Sequence, residues 1–209
     1  MKTIQLELFS FNELSNDAKA KAIESERNSE NLEYHYSGEV EYYQDVLKHI
    51  GFTDVEISFS GFYSQGDGAS FTADYDSSLI NLDELKSHNT ELYSLMSRID
   101  SVFGASGLTS DNRITASVKR VSRHYSHHNT VAIDDIAING EDEWITEDSK
   151  VYKAFEAIEN YLTNLKDDIC YIIYNSLERE YEYQTSDEYI AELLTINDYY
   201  FLEDGTFYE

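Results

Sequence analysis

Apolar positions along this chain switch between two periods, and the switches mark out its elements. At the start, Ile4, Leu6 and Leu8 alternate with polar residues, so residues 2–9 predict a strand. The run Glu13-Leu14-Ser15-Asn16-Asp17-Ala18 then opens a helix. Ser15 is placed to cap it, Asp17 sits in its first turn, and Ala18, Ala22 and Ile23 follow at helical spacing. A second helix is predicted over 38–50, with Val40, Tyr43, Leu47 and Ile50 as its inner stripe and Gly51 as the left-handed residue that ends it.

Alternation returns at 54–60 and 69–75, which predict a hairpin around Ser64-Gln65-Gly66-Asp67-Gly68. Residues 82–103 predict a helix on the spacing of Leu85, Leu92, Leu95, Met96 and Ile99. Strands at 113–121 and 130–138 flank the turn Tyr125-Ser126-His127-His128-Asn129. From Glu147 to about Tyr183, Val151, Phe155, Ile158, Leu162, Leu165, Ile169, Ile172 and Leu177 keep one helical face. Ser186 is placed to cap a short helix over 187–195, and Asp204-Gly205 marks a terminal hairpin at 199–208.

Strands that arrive as hairpins, rather than alternating singly with helices, predict an α+β fold. The expected architecture is an antiparallel sheet of hairpins with helices packed on one face and one long helix in the C-terminal half. No Ser/Gly-rich or proline-rich linker and no fixed-period repeat interrupts the 209 residues, so residues 1–209 are expected to form a single α+β domain. No stretch approaches the roughly 18 apolar residues of a membrane span. The start lacks the pattern of a signal peptide, and a single cysteine precludes an internal disulfide framework. The expected compartment is the cytoplasm.

Charge changes the picture most. The formal net charge is -26, from 41 acidic and 15 basic residues. That is several times the magnitude of about 2–8 that small-domain solubility calls for. Direct nucleic-acid binding is disfavoured, since phosphate would be repelled, whereas basic surfaces that hold DNA or RNA would be attracted. The charge is also uneven. Asn28–Asp76 holds ten acidic residues against Lys48, and Asp167–Glu209 holds twelve against Arg179. Asn112–Ile133 has no carboxylate and carries Arg113, Lys119, Arg120 and Arg123. Opposed patches of this kind favour self-association, so Lys119, Arg120 and Arg123 are candidate residues for a homodimer contact.

Candidate chemistry is sparse. The loop Phe59-Ser60-Gly61-Phe62-Tyr63-Ser64-Gln65-Gly66-Asp67-Gly68-Ala69-Ser70-Phe71 offers a hydroxyl, an amide and a carboxylate. It lacks the pattern of a nucleophile elbow, a P-loop or an EF-hand. Its glycines suit a tight connection, and Tyr63, Ser64, Gln65 and Asp67 are its candidate binding residues. His124, His127 and His128 lack the companions of a zinc pattern, so no metal or other cofactor is expected. Paired carboxylates are frequent enough here by composition alone to lend no support to acid–base catalysis, and the chain is not expected to be an enzyme. Cys170, beside Ile169, reads as a buried small hydrophobe. Eighteen tyrosines lie largely among acids, a mixture that offers a protein partner stacking faces for Arg and charges for Lys and Arg.

The helix start Glu13-Leu14-Ser15-Asn16-Asp17-Ala18-Lys19-Ala20-Lys21-Ala22-Ile23, the run His49-Ile50-Gly51-Phe52 and the FSGFYSQGDGASF loop resemble a loose family of small phage and prophage proteins. Some of these are labelled antitoxin-like. The resemblance covers roughly the first third of the chain and carries over no catalytic residue. Separately, the acidic composition resembles that of phage anti-restriction proteins that imitate DNA, without a shared motif. Together these imply a phage-encoded inhibitor that binds a host DNA-binding defence protein through its carboxylates. The candidate contacts are Asp167, Asp168, Glu178, Glu180, Glu182, Asp187 and Glu188. The alternative is an antitoxin-like regulatory binder that makes contact through the FSGFYSQGDGASF loop.

Overall fold

A computed structural model describes residues 6–29, 35–96, 112–139 and 150–208 of the chain. In chain order its elements are β1 (Phe9–Ser10), α1 (Asn16–Arg27), α2 (Ser37–Lys48), β2 (Phe52–Ser60), β3 (Gly68–Asp76), α3 (Leu82–His88), α4 (Thr90–Met96), β4 (Ile114–Arg120), β5 (Val131–Ile138), α5 (Lys150–Gln184), α6 (Asp187–Ile196) and β6 (Tyr200–Phe201). They fall into two compact units. The larger spans Ser37–Leu177, and the smaller joins Met1–Tyr36 to Glu178–Glu209.

The larger unit is built on a four-stranded antiparallel sheet of order β2-β3-β4-β5. Side chains alternate across a strand, so one face takes Ala69, Phe71, Ala73 and Tyr75 of β3 with Ile114, Ala116 and Val118 of β4, all buried. The other face shows Glu56, Asp74, Lys119 and Asp134 to solvent. Helices pack on the apolar face. Gln44 of α2 donates to the Val55 carbonyl at 3.0 Å, and Ala154 and Phe155 of α5 cluster with Ile138 of β5. The 35 residues of α5 rise about 52 Å at 1.5 Å each. The stripe Phe155, Ile158, Leu162, Leu165, Ile169, Ile172 and Leu177 is buried along it, as its periodicity predicts.

Pairing between β3 and β4 covers only Ala73–Asp76. Beside the first half of β3, the short helical turn His128–Thr130 takes the place that a longer β4 would fill. This break in the ladder positions the site described below.

The smaller unit gathers Phe11, Leu14, Ala18, Ala22, Ile190, Leu194 and Phe201 into its own core. Ser15 caps α1 by accepting from the Ala18 N–H at 3.3 Å, and Ser186 caps α6 by accepting from Tyr189 at 3.2 Å. The terminal hairpin closes through Leu202 N–H to the Thr206 carbonyl at 2.8 Å, and Gly205 takes φ 83° at its turn. A Cβ on Gly205 would lie 2.1 Å from the Ala18 carbonyl oxygen, so only glycine lets the hairpin approach α1 this closely.

Two predicted elements differ. In the described part of the strand expected over 2–9, residues 6–8 are irregular, with Leu6 49% exposed, and pairing begins at Phe9–Ser10. The strand has only Tyr200–Phe201 to pair with, and two residues exhaust that partner; residues 2–5 lie outside the described residues. The helix expected over 82–103 is two helices broken at Asn89. The Asn89 N–H closes α3 on the Leu85 carbonyl at 2.8 Å, while its side-chain oxygen accepts from Leu92 N–H at 3.0 Å and starts α4. One residue thus ends one helix and caps the next, a role that asparagine's short amide suits better than a helix interior. Residues 97–103 lie outside the described residues.

Among the described residues, no helix is long and apolar enough to cross a membrane.

Candidate functional site

The FSGFYSQGDGASF loop is held by its own carboxylate. Asp67 accepts from the Ser64 N–H at 2.7 Å, and Asp67 N–H donates to the Ser64 carbonyl at 3.2 Å. Gly61 and Gly66 adopt φ 50° and 94°, and Tyr63, at φ 69°, is 66% exposed. Tyr63, Ser64 and Gln65 therefore form an exposed tip over a braced base.

The His-rich turn docks on that base. Ser60 Oγ bridges the two segments, donating toward the Gly66 and Ser126 carbonyls at 3.4 Å and accepting from the Ser126 N–H at 3.3 Å. His127 Nδ1 accepts from the Asn129 N–H at 3.2 Å, and Thr130 Oγ1 donates to the His127 carbonyl at 2.7 Å. From below, buried Lys166 of α5 donates to the His128 carbonyl at 2.9 Å and the Val131 carbonyl at 3.2 Å, and it pairs with Asp167.

These segments and α5 enclose a cleft of about 280 Å³, lined by Gly66, Asp67, Gly68, Ala69, His127, His128, Cys170, Tyr171 and Tyr174. Its walls are mostly rings. His128 and Tyr171 lie 4.8 Å apart between centroids, and Tyr174 packs at a tilt against Phe62 at 5.7 Å. Cys170 closes the floor, and burial pushes its thiol up to about 12, so it is a neutral wall rather than a nucleophile. Among the described residues, no three His, Cys, Asp or Glu side chains are grouped to hold a metal ion.

The loop and the His turn, separate in sequence, thus form one site. Tyr171 and Tyr174 belong to it too, although the sequence places them only among the acidic-block tyrosines. Their helical spacing beside Cys170 on the edge of the buried stripe is the signal that marks them.

The acidic candidates are divided between the units. Asp167 and Asp168 lie in the larger one, where Asp168 is exposed but Asp167 is partly buried against Lys166. In the smaller unit, Glu178, Glu180 and Glu182 lie on the end of α5, and Asp187 and Glu188 on the first turn of α6. There, described carboxylates outnumber described cations by fourteen to four. Asp187 pairs with Arg27, Lys21 binds Asp204 at 2.7 Å, and Glu180 accepts from Gln184 at 2.7 Å. A concavity of about 500 Å³ in this unit is lined by Phe9, Glu13, Leu14, Ser15, Glu203 and Asp204.

The basic hairpin is less positive than its sequence window. A bulge at Asp135, with φ 51°, lets Asp134 and Asp135 both reach Lys119, Asp134 at 2.9 Å. Pairing with Asp135 and then Asp134 raises the Lys119 ammonium above its ordinary value. Arg120 donates to the Ser122 and Tyr125 carbonyls at 3.4 and 3.3 Å, and Arg123 is exposed.

Searches of curated proteins and of solved structures match nothing. A family model matches residues 35–187, which takes in the whole larger unit with its cleft and leaves most of the smaller unit outside. The chain belongs to the family described as domain of unknown function DUF8835.

Proposed function

We propose that this chain is a phage-encoded binding protein, not an enzyme, that inhibits a host nucleic-acid-targeting defence of the restriction type. It acts by offering carboxylates to a basic groove that otherwise holds phosphates. The observation that carries this reading is the excess of fourteen carboxylates over four cations in the smaller unit, where Glu182, Asp187 and Glu188 are exposed. Duplex DNA presents about one charge per 1.7 Å of axis, so a mimic needs a dense surface of negative charge rather than any single residue. The phage resemblance of the helix start and loop supports the source. Homodimer formation through Lys119, Arg120 and Arg123 has weaker support, because Lys119 and Arg120 are already engaged within their own chain.

The test is affinity for a purified host restriction nuclease against salt and against duplex DNA. Mimicry requires a steep loss of affinity with rising salt and mutual exclusion with duplex. Binding that ignores both would refute it.

A second reading, antitoxin-like recognition through the FSGFYSQGDGASF loop, is favoured by the cleft. The loop is braced, its tip is exposed, and it opens onto a ring-lined recess. That combination suits recognition of one protruding group on a protein partner.

A further inference from the structure

We infer that the cleft between the FSGFYSQGDGASF loop, the His turn and α5 is a receptor for one arginine side chain of a protein partner. This rests on the loop-recognition reading and is independent of the acidic surface of the smaller unit.

Size comes first. At about 280 Å³ the cleft falls just below the range of roughly 300–1,000 Å³ typical of small-molecule sites. It is too small for a nucleotide and suits a single side chain. Its mouth is open: Tyr171 is 52% exposed on one side, and Tyr125, packed against Gly66, is 53% exposed on the other. A free metabolite would remain half in water there. A side chain tethered to a partner would not, since the partner's own surface would cover the mouth. Exposed tyrosines around a recess are also the composition that protein interfaces favour.

Charge and shape then choose the occupant. Among the described residues no Lys or Arg lines the cleft, and Asp67 is the one carboxylate that does. Lys166 lies behind the His128 carbonyl, but two carbonyls and Asp167 engage its ammonium. The rings that border it are His127, His128, Tyr171 and Tyr174, with His128 packed against Tyr171 and Tyr174 against Phe62. A planar cation satisfies both features at once, stacking on the rings while its N–H groups reach Asp67. Guanidinium does this better than the compact, strongly hydrated ammonium of lysine. An anion would meet Asp67, and a neutral ring would leave that carboxylate with the Ser64 N–H but no counter-charge.

The probes are N-acetyl-arginine amide, N-acetyl-lysine amide and N-acetyl-tyrosine amide, titrated into the full chain while histidine and tyrosine side-chain NMR signals are followed. The arginine probe is expected to shift the His128 and Tyr171 signals saturably, with the lysine probe at least about threefold weaker and the tyrosine probe without saturation. Asp67→Asn keeps an oxygen for the Ser64 N–H while removing the charge, and Tyr171→Leu removes an exposed ring. Each is expected to weaken arginine binding about three- to tenfold. Equal binding of the tyrosine probe, no saturable arginine binding, or unchanged arginine affinity in both variants would each overturn the inference. No partner enters this titration, so its failure leaves the salt and duplex test of mimicry untouched, and the reverse also holds.

Discussion

Gly68 and His127 stand so close that a Cβ built on Gly68 would lie 2.5 Å from the His127 Cβ and 3.0 Å from its Cα. This contact joins the start of β3 to the His turn and shapes one side of the cleft. Gly68 is therefore required for space, not for an unusual backbone angle.

Gly68→Ala should accordingly destabilise the larger unit by about 1–3 kcal/mol, the range for overpacking a filled contact. Gly38, with nothing within 4 Å of its built Cβ, is the control. Gly38→Ala in α2 should be neutral or stabilise by up to about 1 kcal/mol, since alanine is the better helix former. Urea denaturation of the two variants separates the cases. Equal behaviour would mean that the contact is not tight.

Lys166→Met tests what holds the turn from beneath. The substitution keeps an unbranched side chain but leaves the His128 and Val131 carbonyls without their donor and Asp167 without its cation. The expected loss is about 2 kcal/mol or more, since unpaired buried polar groups are costly. Amide exchange should speed up at His128–Val131 before it does elsewhere. A variant that keeps wild-type exchange there would show that Lys166 does not brace the turn.

Most helices and the sheet were legible in the sequence because each has its own period and its own stop signal. The α5 stripe needs nothing beyond helical spacing, and Ser15 and Ser186 announce the starts of α1 and α6. Asn89 was missed because apolar spacing runs straight across it, and only its two backbone partners reveal the break. Residues 6–8 alternate without forming a strand, because alternation cannot show whether a partner strand exists. The cleft was half legible. Both motifs stood out, but their meeting depends on β4 leaving β3 after Ala73, a tertiary event with no local signal. Asp134 and Asp135 lie just beyond the window that made the 112–133 hairpin look basic, and the bulge that turns them onto Lys119 has no periodic signature.

Acid stability should carry a signature of Asp76. Arg113 donates to it at 2.5 Å, and the Ser78 N–H and hydroxyl add 2.9 and 2.7 Å bonds. Arg113 first, with Ser78 adding to it, holds this carboxyl down to about 2 from the ordinary 3.8. A folded value below the unfolded one means that the pairing stabilises above about pH 4 and is lost as pH falls toward 2. The difference between wild type and Asp76→Asn in urea stability should therefore be constant at neutral pH and shrink across that window. A difference independent of pH down to 2 would contradict the assignment.

Cys170 should be silent in the folded protein. Its thiol is 2% exposed and is pushed up to about 12, so very little thiolate exists at pH 8. A disulfide reagent such as Ellman's should react slowly with native chain and within seconds in denaturant. If an arginine probe in the cleft slows the native reaction further, the thiol is reached through the cleft. Fast native reaction would place Cys170 at the surface.

The two readings of function predict opposite mutational patterns. If carboxylates act as a surface, their effects sum through screened Coulomb attraction, with a Debye length of about 8 Å at 0.15 M salt. Replacing Glu178, Glu182 and Glu188 by glutamine, singly and then together, should weaken partner binding in graded steps and flatten its salt dependence at each step. Glu180 and Asp187 are poorer choices, since Gln184 and Arg27 hold them and their loss would also touch the fold. If the loop acts, Tyr63→Ala or Gln65→Ala at the exposed tip should remove most of the affinity alone. The charge series would then change the association rate more than the dissociation rate, because distant charges steer encounter while close contacts set residence. These side chains are half-exposed or exposed, and urea denaturation of each variant separates a loss of binding from a loss of fold. Graded loss in the smaller unit with a silent loop supports mimicry. Abrupt loss at Tyr63 or Gln65, with a dissociation rate unmoved by salt, supports recognition through the loop.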